Sequence, residues 1–315
     1  MGIPISTYIV SMVGYIVFLL VLVEMMRRTP RFTFAFWLLS LLTAPLWADN
    51  LDGWFRWAKT VSVLIPTAII VGSARLAYLY YDNPNRILKF FRKDWVLWCL
   101  YGVLFLNIAE ATVKDLVTQN YFNFIAGCVL LATMPLPKYK NGKRQYWLIG
   151  KDAPNDLLFF STAAWNFLYT TWNMAFVYGE NPGYFASSFC ILMAAELYPL
   201  IKGRPELYII ARVYTLAFHI LVRAMGDPFA DVMDSTHWAN DNVLMFWGVA
   251  NAVLHIAYLI YYFKKFRQPN AEGGKEPPYG NRTPPLVVDA RTEESSPLLE
   301  TQKPSIASGQ KPVTA

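Results

Sequence analysis

Three side chains inside apolar stretches have the chemistry of proton transfer: Glu110, His219 and Asn251. Glu110 lies in the run LFLNIAEATV, where an ionised carboxylate without a counter-ion is costly at membrane depth. We therefore expect a neutral acid that can donate a proton. His219 or Asn251 would accept that proton or orient the reacting group. The alternative, in which each of the three groups hydrogen-bonds a neighbouring helix, stays open.

A polar stripe with aromatic neighbours follows in the segment WNFLYTTWN. Its asparagines and threonine recur at i, i+4 and i+7, which places them on one helical face. Such a face either lines a cavity or joins two helices by hydrogen bonds. Together with the amide one turn before Glu110, the residues that we predict to bind a substrate are Asn107, Trp165, Asn166, Tyr169, Trp172 and Asn173.

Two further charged residues lie at similar depth on either side of the turn Lys202-Gly203-Arg204-Pro205. Glu196 precedes the turn and Arg212 follows it, so we predict an ion pair across a helical hairpin. Arg75 lies on another apolar segment, about 13 Å from Glu110 in depth at 1.5 Å per residue. We expect Arg75 to extend toward the membrane surface instead of pairing with Glu110.

The composition indicates a membrane protein that positions these groups on helices. The 315 residues are 55% hydrophobic and only 16% charged, whereas soluble domains are about 25% charged. We predict an all-α, polytopic helical bundle over residues 1–267, with about nine membrane spans. Any number of spans from seven to nine is possible, because segments 32–48 and 120–137 are short. The nine segments are roughly 7–25, 32–48, 57–81, 95–117, 120–137, 157–179, 184–201, 206–225 and 243–263.

Basic loops alternate with neutral or acidic loops along this series. Lys and Arg follow the first, third, fifth, seventh and ninth segments, and positive loops are retained in the cytosol. The pattern predicts a lumenal or extracellular N-terminus and a cytosolic C-terminus. We expect residence in the endomembrane system, either endoplasmic reticulum or vacuole, with the lipid bilayer as a partner.

Residues 268–315 are rich in Pro, Gly, Ser and charge, and we predict a disordered cytosolic tail because they cannot bury enough apolar surface. Glu294, Leu298 and Leu299 match an acidic dileucine signal that a sorting adaptor would read. A chance match in a low-complexity tail is the alternative.

Several classes of chemistry have no motif in the sequence. There is no P-loop, GxGxxG, GxSxG or HExxH, so we expect no nucleotide, metal or other cofactor. The basic residues lie between spans, which does not favour nucleic-acid binding. Asp227, Asp231 and Asp234 have helical spacing in an outer loop, where they would either attract a cation or help to set topology.

The block from WNFLYTTWN to the segment FHILVRA resembles an uncharacterised family of multi-pass membrane proteins, over about residues 155–262. In type, the chain is also similar to the small transmembrane terpene cyclases of fungi, which are short polytopic proteins with intramembrane acids and aromatic walls. Their asparagine-then-Trp-Glu signature is absent, and the nearest match is Thr171-Trp172-Asn173. That likeness implies a cofactor-independent enzyme of secondary metabolism.

Three functions follow from these patterns. The first is a membrane-embedded acid–base enzyme on a lipophilic small molecule, with a terpene cyclase or isomerase as its concrete form. The second is a proton-coupled transporter that uses Glu110, Glu196, Arg212 and His219. The third is a membrane scaffold or receptor with a sorting signal.

Overall fold

The computed structural model describes residues 3–51, 53–138 and 145–267. Over these ranges the chain is helical, with one short antiparallel hairpin. In chain order the elements are α1 (Ile5–Arg28), α2 (Pro30–Ser40), α3 (Gly53–Ile65), α4 (Gly72–Leu79), α5 (Arg86–Phe91), α6 (Trp95–Val117), α7 (Tyr121–Thr133), β1 (Trp147–Ile149), β2 (Leu157–Phe159), α8 (Ala163–Glu180), α9 (Phe185–Lys202), α10 (Tyr208–Met225), α11 (Phe229–Met233) and α12 (Asp241–Arg267).

Six helical stretches of the described chain are long and apolar enough to cross a bilayer. This confirms the all-α class and is consistent with an integral membrane protein, but it does not confirm nine spans. The six stretches are Ile5–Arg28, Arg56–Leu79, Trp95–Val117, Pro182–Lys202, Pro205–Met225 and Asp241–Lys265.

The three other segments differ from the expected spans for local reasons. Segment 32–48 is split between α2 and the 3₁₀ helix Leu41–Trp47, which contains Pro45. Helix α7 has 13 residues, which rise about 20 Å against a hydrocarbon core of about 30 Å. Segment 157–179 begins in β2, and its helix α8 is not among the six apolar stretches.

The helices pack around the antiparallel pair α9 and α10. Gly203 ends α9 with φ +61°, a left-handed conformation that closes a helix well when no Cβ is present. Pro205 then opens the turn into α10, where a missing N–H costs little. Helices α1 and α8 pack against α9, α3 packs against α10, and α7 lies between α6 and α12.

A proline reshapes the helix that runs from Arg56 to Leu79. Pro66 has no N–H to donate to the preceding turn, and the backbone from Pro66 to Val71 is a π-helix between α3 and α4. Such wide turns often occur at functional sites. Here the π-helical segment faces the interior of the bundle.

The hairpin of β1 and β2 is tied to the bundle by buried arginines. Arg27 binds Asp156 through two bonds, from Nε at 2.9 Å and from Nη2 at 2.6 Å. Arg75 is 1% exposed, so the expectation that it reaches the membrane surface is wrong. Its guanidinium instead donates to the carbonyls of Met26, Arg27, Pro154 and Asn155 and to the hydroxyl of Tyr214.

The predicted tail and its sorting signal lie outside the described residues. Glu294, Leu298 and Leu299 belong to residues 268–315, which follow the last described residue, Arg267.

Candidate functional site

A cavity of about 390 Å³ lies inside the bundle, between α3 with its π-helical continuation, α6, α8, α9 and α10. One face of α10 lines it, because the lining positions recur every three or four residues. From residue 209 to residue 223 this face extends about 21 Å at 1.5 Å per residue. Its members are Ile209, Arg212, Val213, Leu216, His219, Ile220 and Arg223.

The two ends of the cavity differ in polarity. Trp147 and Leu157, from the β hairpin, form the floor beside Ile209. The opposite end carries charged side chains, where Asp227 accepts a hydrogen bond from the Tyr184 hydroxyl at 2.6 Å. The hairpin end therefore has an apolar floor, with Arg212 one turn above Ile209 on α10, and the other end carries several charged groups.

The charges at that ionic end compensate one another. Nε of Arg223 lies 3.8 Å from Oδ2 of Asp227. The same guanidinium lies over the Tyr184 ring, 3.6 Å from its centroid, which is a cation–π geometry. The cation at this end thus already has an anionic and an aromatic neighbour.

Arg212 is a buried cation in the cavity wall. It is 7% exposed, and its Nε and Nη1 atoms have no hydrogen-bond partner among the described residues. The predicted ion pair with Glu196 is not formed as a direct contact. Glu196 instead accepts a hydrogen bond from the Thr170 hydroxyl at 2.8 Å.

The Glu196 carboxyl ends a short chain of hydroxyl groups. The Tyr208 hydroxyl lies 2.7 Å from Oγ1 of Thr170. Since a hydroxyl carries one proton, Thr170 donates to Glu196 and receives the proton of Tyr208. This network joins α8, α9 and α10 and leaves the Arg212 guanidinium outside it.

His219 lies about two turns from Arg212 on the same face of α10 and is 2% exposed. Its Nδ1 is 3.3 Å from the Tyr15 hydroxyl, whereas Nε2 has no partner among the described residues. The Phe229 ring packs on the imidazole, with centroids 4.6 Å apart. An imidazole held on one side and unpaired on the other can exchange a proton with a molecule in the cavity.

Glu110 has a counter-ion, so the expectation of an unpaired carboxyl is wrong. Nζ of Lys59 lies 3.6 Å from Oε1 of Glu110, and the two side chains are 35% and 38% exposed. Lys59 lines the cavity. The catalytic role of Glu110 stays a prediction, without the premise that the carboxyl has no cationic neighbour.

Three of the predicted substrate-binding residues do line the cavity: Asn107, Tyr169 and Asn173. Asn107 donates to the Val103 carbonyl of its own helix at 2.9 Å. Asn166 instead fixes the backbone, because it donates to the Pro205 carbonyl at 3.1 Å.

The tryptophans of α8 belong to a row of stacked rings. Trp165 stacks on Tyr169 with centroids 5.5 Å apart, and Tyr169 stacks on Trp172 at 5.9 Å. Trp172 also donates to the Asn123 carbonyl at 3.0 Å. Both tryptophans are fully buried, and they support the cavity-lining Tyr169 from behind.

Asn251 belongs to a second polar network, between α7, α8 and α12. Its amide donates to the Asn123 side chain at 2.9 Å, and its carbonyl oxygen accepts from the Thr171 hydroxyl at 3.0 Å. Asn123 in turn donates to the buried Asp115 at 2.7 Å. The amide of Asn251 is thus used between helices, and its predicted catalytic role has no support from this geometry.

Sequence reasoning missed Asp115 and Asp156, two buried acids. Asp115 lies near the end of an apolar helix, where an acid is readily assigned to the surface. Asp156 lies in a polar loop. The signal that could have found Asp115 was the asparagine pair Asn120 and Asn123, since both donate to it, at 3.0 and 2.7 Å.

The acidic loop after α10 does not converge on one point. Asp227 is paired with Arg223, whereas Asp234 accepts from the backbone and the hydroxyl of Thr236. These hydrogen bonds hold the pKa of Asp234 below its ordinary value. No group of three or more His, Cys, Asp or Glu side chains in the described ranges is arranged to hold a metal ion.

The fold and the cavity together define the class of protein: an all-helical chain with membrane-length apolar helices and an internal cavity of mixed polarity. No protein-family model matches the sequence, and no curated protein or solved structure matches it. A buried arginine, Arg212, and a buried histidine, His219, lie in the wall of this cavity. Both present nitrogen atoms that have no partner among the described residues.

Proposed function

We propose that this integral membrane protein is an acid–base enzyme that acts on a lipophilic small molecule, with His219 as the group that transfers the proton. The observation that carries the proposal is the environment of the His219 imidazole. It is buried in the cavity wall, its Nδ1 faces Tyr15, and its Nε2 is unpaired in the described structure.

The Tyr15 contact gives the imidazole a defined orientation. When the Tyr15 hydroxyl donates to Nδ1, Nε2 carries the proton and can donate a hydrogen bond to a bound molecule. When Nδ1 carries the proton and donates to the hydroxyl oxygen, Nε2 is a base. In this second tautomer Nε2 takes a proton from one atom of the substrate, and the imidazolium so formed returns it from Nε2 to another atom of the same molecule.

The lipophilic character of the substrate rests on the composition of the wall. Apolar side chains surround the middle of the cavity, and they come from α6, α9 and α10. A volume of about 390 Å³ lies within the range of about 300–1,000 Å³ that is usual for small-molecule sites. The residues concerned include Val103, Leu104, Ile191, Leu192, Val213 and Leu216.

Terpene cyclisation is the narrower form of this proposal and has less support. It requires a neutral acid strong enough to protonate an olefin or an epoxide, and Glu110 was the predicted acid. Its carboxyl instead has the Lys59 ammonium 3.6 Å away, so the acid without a counter-ion on which the cyclase prediction depended is not present. We therefore propose the broader reaction class, with cyclisation as a prediction to be tested separately.

A carrier is the second candidate, and the length of the cavity favours it. The lining face of α10 covers about 21 Å of the helix axis, and the lining residues extend from the β hairpin to Asp227 after α10. Uptake of a lipophilic solute into proteoliposomes in response to a pH gradient would favour transport over catalysis.

Deuterium incorporation tests for the enzyme even when its substrate is not identified. Microsomes that contain the full chain are incubated in ²H₂O with a cellular lipid extract, and mass spectrometry detects lipids that gain solvent deuterium. We expect incorporation with the wild type and a loss of about 100-fold or more with His219→Gln, because general acid–base catalysis contributes about 10²–10⁴.

The matched control is His255→Gln. His255 is also buried and also has an unpartnered Nε2 in the described structure, but it lies on α12. This variant should retain incorporation. Glu110→Gln in the same assay tests the predicted acid. Equal incorporation by the wild type and His219→Gln would refute the proposed role of His219.

The orientation in the membrane is also a proposal, with the N-terminus lumenal and the β hairpin cytosolic. The alternation of basic loops supports it. Glycosylation acceptor sites introduced before α1 and in the loop between α8 and α9 should be modified, whereas a site beside β1 should not.

A further inference from the structure

We propose that the cavity binds a lipophilic carboxylate, whose head group pairs with Arg212. The proposal deepens the function given above, because the bound carboxylate would be the substrate on which His219 acts. It rests on three observations: the charge balance of the cavity, the burial of Arg212, and the distance between Arg212 and His219.

Four cations line the cavity, Arg56, Lys59, Arg212 and Arg223. Among them, only Arg212 is both buried and without an ion pair in the described structure. Lys59 is paired with Glu110, and Arg223 is paired with Asp227. Arg212 has no direct ion pair in the described structure, and Glu196 is engaged by Thr170 instead. A guanidinium stays charged in proteins, and a buried charge without a partner is costly. An anionic ligand would remove that cost.

A carboxylate matches this site better than other anions. A guanidinium binds a carboxylate through two parallel N–H···O bonds, with one positive charge facing one negative charge. A phosphate monoester would bring close to two negative charges to the one guanidinium of Arg212. A neutral alcohol would leave the cation uncompensated.

The wall beyond Arg212 fits the apolar body of such a molecule. Val213 and Leu216 continue the lining face of α10, and Ile191 and Leu192 face them from α9. Burial of apolar surface there adds to affinity at about 25 cal/mol per Å². The ligand would thus lie along α10 with its head group toward the floor of the cavity.

The distance along α10 connects binding to reaction. Arg212 and His219 are seven residues apart, which is about 10.5 Å at 1.5 Å per residue, with nearly the same direction around the axis. A carboxylate held at Arg212 therefore places a carbon about 10 Å along the chain beside Nε2 of His219. Arg212 is in this proposal a binding residue that fixes the position of the reacting carbon.

Binding is tested with the full chain in lipid nanodiscs by isothermal titration with dodecanoate, with empty nanodiscs as the background. Dodecan-1-ol and dodecyl phosphate, which have the same tail, are the comparison ligands. We expect dodecanoate to bind at least about tenfold more tightly than either comparison ligand, because hydrogen bonds to a charged group are strong. In Arg212→Gln this preference should disappear.

Arg28→Gln is the matched control, because Arg28 is exposed on α1 and is paired with Glu24 at the surface. It should bind dodecanoate as the wild type does. Thermal unfolding of Arg212→Gln shows whether the variant is folded, and dodecanoate should raise the unfolding temperature of the wild type but not that of Arg212→Gln. Arg212→Lys, which keeps the charge, should bind dodecanoate with intermediate affinity.

Equal affinity of the wild type for dodecanoate and dodecan-1-ol would overturn the proposal. Tighter binding of dodecyl phosphate than of dodecanoate would also overturn it. So would a folded Arg212→Gln variant that binds dodecanoate as tightly as the wild type does. A wild type that prefers dodecanoate but incorporates no deuterium supports this inference and refutes the enzyme. Incorporation without a preference for carboxylates refutes this inference alone.

Discussion

Replacement of Arg75 by methionine tests how the β hairpin is fixed under the cavity. The guanidinium is 1% exposed and donates to four backbone carbonyls and one hydroxyl. Methionine has a similar length, so the cavity left behind is small. The main effect is the loss of donors to buried acceptors.

The magnitude follows from the number of acceptors. Three of the four carbonyls, those of Arg27, Pro154 and Asn155, would lose their donor, whereas the Met26 carbonyl keeps the bond from the Thr33 hydroxyl at 2.6 Å. At about 1 kcal/mol each at the low end, the three lost bonds give about 3 kcal/mol in total. Removal of one partner from a buried charged network typically costs about 3–5 kcal/mol, even though burial of the guanidinium itself was unfavourable. We therefore expect Arg75→Met to lower the free energy of unfolding by about 3–5 kcal/mol.

The assay is unfolding by sodium dodecyl sulfate in mixed micelles, followed by circular dichroism. Arg28→Met is the control, because the Arg28 side chain is 71% exposed and its surface pair is worth about 0–1 kcal/mol. Limited proteolysis between β1 and β2 should also become faster in Arg75→Met, since Pro154 and Asn155 lose their anchor. A destabilisation below about 1 kcal/mol, with unchanged proteolysis, would refute the argument.

Two further predictions concern helix packing and the loop after α10. Gly127→Ala should destabilise the α6–α7 contact by about 1–3 kcal/mol in the same unfolding assay, because its Cβ would lie 2.2 Å from Oγ1 of Thr112. Gly14→Ala, which meets nothing within 4 Å, should leave stability unchanged or slightly higher, and equal effects would contradict the packing argument. Thr236→Val should raise the pKa of Asp234 toward its ordinary value, because Thr236 donates to the charged form. Since the folded pKa of Asp234 is lowered, the carboxylate stabilises the fold above its unfolded pKa, and this stabilisation is lost as pH falls through the folded pKa. A ¹³C NMR titration of the carboxyl measures the folded pKa in the wild type and in Thr236→Val. The same pKa in both proteins would disprove Thr236 as the cause.

Sequence reasoning succeeded where length and apolarity decide the structure. The runs that became α1, α6 and α12 have 24, 23 and 27 residues, and a helix satisfies all the backbone groups of such a segment in lipid. The predicted spans at α2 and α7 are not confirmed, because these helices have 11 and 13 residues. Apolar residues there continue into a 3₁₀ helix or a loop, and composition does not mark that change.

For the site, the residue types were easier to predict than their partners. His219, Asn107 and Asn173 were predicted and do line the cavity. Glu110 was expected to be unpaired because no cation lies near it in sequence, but Lys59 on α3 reaches it. Glu196 and Arg212 were expected to pair because their depths agree. Depth gives one coordinate, whereas a contact also requires that the two side chains point toward each other around their helix axes.

The sequence by itself determined that the chain is helical and apolar, and that a few ionisable groups lie within its helices. Those properties follow from the energetics of single segments in lipid. Only the tertiary structure decided that Arg75 binds the hairpin, that Glu110 is neutralised by Lys59, and that Arg212 and His219 share a cavity wall. Side chains far apart in sequence become partners through helix rotation and packing, and no local pattern records that rotation.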